Sequence, residues 1–260
     1  MRPMQRMPLL PLLSGLILTC VAASSWAADD FSATATKLKA AMSDAGRTSA
    51  ETERDANRKP LETLEFFQLR DDMKVLEILP GGGWYTKLLG PTLEAKGKLY
   101  IAIGAERTGE ALKDKPGFGS LEVIPFDRSN FVRKDGEKRT TVPEFSFGVK
   151  RLDMALTFRN MHNFTKEGRA NINKAVFEAL KSGGIYGVVD HTRRHMQVSN
   201  DEIWRRMDPV TVIKEVEAAG FKFVDFSPLH FRPDDELRYE VGRKTVTGNT
   251  DRFTLLFKKP

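Results

Sequence analysis

Apolar positions along the chain fall into short runs and helix-spaced sets that alternate. Residues 29–58 are polar and alanine-rich, with Leu38, Ala41 and Met42 at helical spacing, so residues 28–59 are expected to form a helical lead-in. Pro60 sits at a helix start ahead of Leu61, Leu64, Phe67 and Leu69 on one face. Residues 74–79 are apolar on both faces except at Glu77, which suits a central parallel strand. After Pro80-Gly81-Gly82-Gly83 the helical pattern returns at Trp84, Leu88, Leu89 and Leu93. Pro91 must kink or restart that helix, and Gly97 closes it.

The second half repeats the alternation. Residues 99–103 and 121–126 read as strands, and Lys134-Asp135-Gly136-Glu137 between extended residues is a hairpin signal over 131–142. Residues 152–158 form a fourth core strand. Thr165 can cap a helix carrying Ile172, Val176, Phe177 and Leu180, which Gly183-Gly184 is expected to end. A fifth strand follows at 185–189. Asp208-Pro209 is a cap and first helical residue, with Val212, Ile213, Val216 and Ala219 running on to Gly220, and 221–226 with 253–257 make a final strand pair.

Strand, helix, strand, repeated, defines an α/β doubly wound sheet, one Rossmann-like unit over residues 60–260. In such sheets ligands bind beyond the carboxyl ends of the strands, where strand order reverses. The positions that matter are therefore 80–85, 104–106, 127, 159–163 and 190–194, which carry most of the unusual polar chemistry.

Composition refines this picture at the N-terminus. The chain has 260 residues, 40% hydrophobic and 29% charged, which is ordinary globular composition. Arg2 and Arg6 precede a nearly unbroken apolar run over 9–23, and Ser25-Trp26-Ala27 supplies small residues at a cut site. Residues 1–27 thus read as a cleavable secretory signal peptide, implying a periplasmic or secreted protein with no stable membrane span after cleavage. Cys20 is the only cysteine and leaves with that leader, which rules out disulfides, thiolate catalysis and cysteine metal sites. Losing Arg2 and Arg6 lowers the formal net charge of +6 by two. The remaining basic balance suits an anionic ligand, but no basic cluster interleaved with aromatics points to nucleic acid. Nothing in the sequence sets an oligomeric state.

Three glycines after a buried strand permit backbone conformations and close approach that side chains block, and the following helix presents free amides to a ligand. The bland reading is a tight connection needing one glycine. A nicotinamide cofactor would want G-x-G-x-x-G, which Gly81-x-Gly83-x-x-Thr86 meets imperfectly. S-adenosylmethionine would want an acid near the end of the first strand and then a glycine-rich turn, which Glu77 and Gly81-Gly82-Gly83 fit better.

The stretches EILPGGGWYTKLLGP, LTFRNMHNF, GGIYGVVDH, IKEVEAAGF and DRFTLLFKKP, with ERDANRKPLETLEFF before the first strand, carry a resemblance over most of residues 51–260. On them the chain resembles class I S-adenosylmethionine-dependent methyltransferases, and within these a family of exported bacterial members. The resemblance implies a mostly parallel seven-stranded sheet, the Rossmann-like methyltransferase fold, with an antiparallel C-terminal hairpin. It implies that Glu77, Gly81, Gly82 and Gly83 line the methionine end of S-adenosylmethionine, that Asp127 lies near its adenine, and that Arg159 and Asn160 border cofactor and acceptor; Pro80 and Tyr85 join the cofactor-binding candidates. The chain departs from the pattern where the second strand ends: Ile103-Gly104 stand in place of the ribose-holding acid, and Glu106 is the nearest substitute. Leu79 occupies the place of the first glycine of the broad motif.

For the chemistry, His162 in Arg159-Asn160-Met161-His162-Asn163 is the first candidate for a general base or acceptor-orienting group, its bland role being to cap the strand-to-helix turn. Asn160 and His191 complete the catalytic candidates; His191 follows Asp190, but neighbours on a strand point oppositely and need not touch. His162, His191 and His195 lack the tight spacing of a histidine metal motif, so no metal is expected. Trp84 and Tyr85 can offer an aromatic face to a sulfonium or serve as core. Two functions follow. One is a methyltransferase acting on a small, possibly anionic acceptor. The other answers the tension between an export signal and a donor made in the cytosol: an exported, non-catalytic ligand-binding protein that retains the fold.

Overall fold

The computed structural model describes residues 31–260; the leader expected at 1–27 and the first residues of the lead-in lie outside them. The lead-in folds as α1 (Ser32–Met42), α2 (Ser49–Thr52) and α3 (Asp55–Arg58), and Pro60 opens α4 (Pro60–Phe66). Strands and helices then alternate: β1 (Lys74–Ile78), α5 (Thr86–Leu93), β2 (Lys98–Ala102), α6 (Glu106–Leu112), β3 (Leu121–Ile124), β4 (Leu152–Phe158), α7 (Lys166–Ala179), β5 (Leu180–His191), α8 (Pro209–Ala218), β6 (Lys222–Ser227) and β7 (Arg252–Lys258).

The seven strands form one sheet in the order β3-β2-β1-β4-β5-β7-β6. β1 to β5 pair in parallel, and β7 runs antiparallel to both β5 and β6. The doubly wound sheet and its antiparallel C-terminal pair are as the sequence implies. Strand order reverses between β1 and β4, so the chain leaves these two strands in opposite directions and a crevice opens beyond their carboxyl ends. Because β7 is antiparallel, its first residue, Arg252, pairs with His191 at the end of β5 and reaches the same edge of the sheet.

The strand alternation divides the core between the two faces. Leu76 and Ile78 of β1 pack with Tyr186 and Val188 of β5, Ile172 and Val176 of α7 and Val212 and Val216 of α8. Val75 packs on the other face with Met154 and Leu156 of β4, Leu88 and Leu89 of α5, Leu64 of α4 and Leu38 of α1. Burial of these side chains, about 1.5–3 kcal/mol for each large aliphatic, is the main force holding helices to sheet in a chain without disulfides. The lead-in is part of this core through Leu38 and Ala41. Among the described residues no helix is long and apolar enough to cross a membrane.

Three local expectations change. Gly183-Gly184 lie inside β5 rather than ending α7, which stops at Ala179; Gly183 takes φ +77° and donates its N–H to the Lys259 carbonyl at 2.8 Å, a conformation glycine tolerates without strain. The hairpin expected over 131–142 reduces to a single antiparallel bridge between Val132 and Thr141, with the rest of this mostly exposed stretch unpaired to the sheet. Finally, the strands expected to reach residues 79 and 103 stop at Ile78 and Ala102, because the next residue of each turns sharply.

Candidate functional site

That turning is shared by three strand ends. Leu79 after β1, Ile103 after β2 and Arg159 after β4 have φ of +54°, +63° and +64°. Left-handed backbone at a non-glycine residue costs about 1–2 kcal/mol and persists only where the surroundings impose it. Here the ladders do so: the Leu79 N–H donates to the Ala102 carbonyl at 2.9 Å, and the Arg159 N–H to the Val189 carbonyl at 2.7 Å. Leu79 therefore adopts the backbone conformation for which the broad motif uses glycine.

The glycine turn continues from there. Gly81 and Gly83 also have positive φ, and a Cβ on Gly83 would lie 2.8 Å from the Thr108 methyl, so α6 packs directly on bare backbone. Thr108 Oγ1 donates to the Gly81 carbonyl at 2.6 Å. By contrast, nothing lies within 4 Å of where a Cβ would project from Gly81 or Gly82. Their free side opens into a cavity of about 310 Å³ bordered by Glu77, Leu79, Pro80, Gly81, Gly82, Tyr85, Phe158, Arg159 and Asn160.

Glu77 is the buried acid of this cavity. Thr86 Oγ1 donates to its carboxylate at 2.6 Å, and burial pushes its pKa up to about 7. Asn160 spans the switch point by donating to the carbonyls of Ile78 and Leu79, each at 3.2 Å. Tyr85 stacks on Phe158 with ring centroids 3.5 Å apart. Trp84 meets cations, but the protein's own: the Arg58 guanidinium lies 4.3 Å from its ring centroid and that of Arg47 5.2 Å.

Sequence reasoning missed the lead-in's share. Glu51, Arg54 and Arg58 complete the wall of this cavity. Glu51 pairs with Lys87 at 2.8 Å, and its carbonyl accepts from Trp84 Nε1 at 2.8 Å, which docks the lead-in onto the glycine turn. The available signal was the spacing of Arg54 and Arg58, four apart and so on one helical face.

A second cavity, of about 410 Å³, adjoins the first and shares Arg54, Arg58 and Arg159 with it. Its other walls include His191, Thr250, Arg252 and Arg205. Burial, then the neighbouring guanidinium groups of Arg159 and Arg54, holds Arg58 down to about 8; burial and Arg159 hold Arg252 down to about 10.

The structure separates the histidines. His162 is only 4% exposed and borders neither cavity. Its Nδ1 lies 2.6 Å from Asp190 Oδ1, and its backbone N–H donates to Asp190 Oδ2 at 3.1 Å. The expectation that this ring faces the crevice is thus not met, because the fully buried Asp190 carboxylate draws it inward. His191 does face the second cavity, with Thr250 Oγ1 2.9 Å from its Nδ1. Burial, then His162 and Arg252, holds its pKa well below the usual histidine value, so the ring is neutral at neutral pH. The side chains of Asp190 and His191 have different partners, His162 and Thr250, although Asp190 Oδ1 also accepts from the His191 N–H at 2.7 Å. Glu106 opens α6 and is exposed; Asp127 is exposed on the loop after β3, accepting from the Ser129 N–H at 2.8 Å; neither borders the cavities. Among the described residues no group of three or more His, Cys, Asp or Glu side chains is placed to hold a metal ion.

Solved structures share this architecture. The chain is similar to an S-adenosylmethionine-dependent methyltransferase from Aquifex aeolicus, with a TM-score of 0.54 and 16% identity over 86% of this chain and 97% of that one. It is similar to the [4+2]-cyclase SpnF, with a TM-score of 0.56 and 15% identity over 88% and 94% of the two chains. A third likeness is to human N-acetylserotonin methyltransferase in complex with S-adenosylmethionine, with a TM-score of 0.50 and 12% identity over 88% of this chain and 57% of that one. No family model matches the sequence, and no curated protein matches it. At these identities the likeness establishes the fold: a Rossmann-like methyltransferase fold, whose structural neighbours include S-adenosylmethionine-dependent methyltransferases, one of them with S-adenosylmethionine bound.

Proposed function

We propose that the chain is an S-adenosylmethionine-dependent methyltransferase acting on a small-molecule acceptor. The observation that carries this reading is the juxtaposition at the switch point. A bare-backboned glycine turn and a buried carboxylate lie on one side of Arg58 and Arg159, and an arginine-walled cavity lies on the other.

The residues of the first cavity fit the cofactor. Gly81 and Gly82 leave the space that side chains would fill, and Glu77 offers an acid to the ammonium of the methionine end. Arg58 would take the carboxylate of that end. When bound, S-adenosylmethionine supplies a methyl group on a sulfonium, ready for an acceptor's electron pair. The chain's own contribution is chiefly positioning: Asn160 keeps the ends of β1 and β4 in fixed relation. In the tautomer whose Nδ1–H donates to Thr250 Oγ1, neutral His191 would offer Nε2 to the proton that an acceptor hydroxyl or ammonium loses. The leader-like residues 1–27 and the resemblance to exported members support a periplasmic or secreted location.

The second reading, an exported ligand-binding protein without catalysis, is favoured by one observation. Glu106 and Asp127, the acids expected near ribose and adenine, border neither cavity. The [4+2]-cyclase of similar fold also illustrates that this architecture is not tied to methyl transfer.

Calorimetric titration with S-adenosylmethionine and its demethylated product tests the proposal, with Gly82→Val as control. Gly82 has no positive φ and no close neighbours, so valine adds bulk to the cavity without straining the fold. Saturable binding that the variant loses supports the cofactor site. A folded wild-type protein that binds neither compound overturns it and leaves the ligand-binding reading.

A further inference from the structure

The second cavity holds more positive charge than the protein neutralises. Arg205 is paired with Glu240 at 2.5 Å. Arg54, Arg58, Arg159 and Arg252 have no ion-pair partner among the described residues, and no acidic side chain borders the cavity. An exposed arginine such as Arg54 needs none. Arg58 and Arg252, however, are each only 6% exposed. Arg58 has the Trp84 ring face and the Glu77 carboxyl in reach, whereas Arg252 has no such compensation, and burying a charge without a counter-charge is strongly unfavourable. Arg252 spends its terminal nitrogens on carbonyls, Nη1 on Asn57 at 3.1 Å and Nη2 on Gly248 at 3.4 Å, while its buried Nε has no hydrogen-bond partner among the described residues. Buried donors without partners are rare and mark a missing acceptor.

The cofactor assigned to the first cavity would supply a carboxylate to Arg58 but none to Arg252. S-adenosylmethionine brings one carboxylate together with a sulfonium and an ammonium, so it adds no net negative charge to the shared wall. Arg252 moreover borders only the second cavity. One singly charged anion would still leave several guanidinium groups facing one another.

We infer that the second cavity is the seat of a small polyanion, a molecule with two or more negative charges on phosphate or carboxylate groups, held by Arg159 and Arg252 with Arg58 on the shared wall. Guanidinium forks match both oxyanions, and the volume of about 410 Å³ is that of a small-molecule site rather than a macromolecular groove. The strained backbone at Arg159 fits this role, because φ of +64° sets the side chain of the residue after β4 at the boundary of both cavities. That the polyanion is the methyl acceptor rests on the reading proposed above; its binding does not.

The test titrates the purified protein with pyrophosphate, citrate and acetate at matched ionic strength, following heat and thermal unfolding. At least one polyanion is expected to bind saturably at one site and raise the melting temperature, with acetate doing neither. Preference for pyrophosphate assigns a phosphorylated ligand, and preference for citrate a polycarboxylate. Arg252→Gln and Arg159→Gln should each weaken that binding by about tenfold or more, as loss of a charge-assisted contact implies. Among the described residues the Arg159 side chain makes no hydrogen bond, so Arg159→Gln removes no structural bond seen there, and circular dichroism checks that both variants fold. Polyanions binding no better than acetate, or binding equally to both folded variants, overturns the inference. Titration with the demethylated cofactor separates the two readings. Cofactor binding without polyanion binding removes this inference alone, and polyanion binding without cofactor binding keeps it while removing the methyltransferase.

Discussion

Asn160, the second residue after β4, donates its side-chain amide to the carbonyl of Leu79, the first residue after β1, across 3.2 Å. The same nitrogen reaches the Ile78 carbonyl, so one side chain closes the switch point at which the two central strands diverge. Without it, both carbonyls lose the side-chain donor they share.

Asn160→Ala should therefore lower stability by about 1–2 kcal/mol, the range for losing two part-buried hydrogen bonds. It should also weaken cofactor binding, since the glycine turn begins at the freed carbonyl. Urea denaturation and calorimetry on the same sample check both. An unchanged midpoint would mean that the amide contributes nothing to the turn.

Leu79 offers a test of strain. Glycine is ordinarily less favourable than alanine in ordered structure by about 0.5–1 kcal/mol. At φ +54° the order should reverse: Leu79→Ala loses the packing and keeps the strain, whereas Leu79→Gly loses the packing and releases it. Leu79→Gly is expected to be more stable than Leu79→Ala by about 1 kcal/mol. Finding alanine the more stable would show that the turn is not strained.

Burial raises the Glu77 carboxyl from 4.5 to about 7, whereas the unfolded chain ionises it at the ordinary value. A raised acid contributes stability that is fully present below about 4.5 and is lost as pH rises through about 7. Glu77→Gln cannot lose that contribution, so between about pH 5 and about pH 8 the variant should gain up to about 3 kcal/mol relative to wild type. Comparison with the variant is essential, because buried His230, lowered to about 4, has the opposite slope: its contribution is present above the usual histidine pKa and lost as pH falls. Parallel stability curves for wild type and Glu77→Gln would show that Glu77 ionises normally.

Arg206 and Asp235 form a fully buried bidentate pair at 2.8 and 2.9 Å, and Asp235 also accepts from the Asp251 N–H at 2.7 Å. The pair clips the long connection between β6 and β7 onto the sheet edge, just before Thr250 and Arg252. Arg206→Met leaves a buried carboxylate unpaired and should cost about 3–5 kcal/mol, with Arg206→Met/Asp235→Leu recovering part of that loss. Proteolysis within residues 232–248 should accelerate in the single variant, and equal sensitivity of all three proteins would show that the pair does not hold this segment.

Much of this protein was readable in its sequence. The alternation of apolar runs with helix-spaced sets is set by periods of two and 3.6, so strand and helix identities, the parallel core and the terminal strand pair followed from local pattern. The glycine turn with its acid, Glu77, was equally legible as a place where backbone lies bare, although only the structure separates Gly83, packed against Thr108, from Gly81 and Gly82, which face open space. Gly183-Gly184 misled because the same φ freedom ends a helix or kinks a strand, and only the pairing of β5 with β4 and β7 selects between them. The histidines were undecidable for a related reason. Whether His162 turns toward the crevice or toward Asp190 depends on a carboxylate distant in sequence.

The arginine cavity belongs wholly to tertiary structure. Arg58, Arg159 and Arg252 come from the lead-in, the end of β4 and the start of β7, and no local pattern relates them. Local periodicity determines which segments are strands and helices because each depends on near neighbours along the chain. The meeting of three unpaired charges depends on which strand lies beside which, and on an antiparallel β7 that returns Arg252 to the edge where β4 and β5 end.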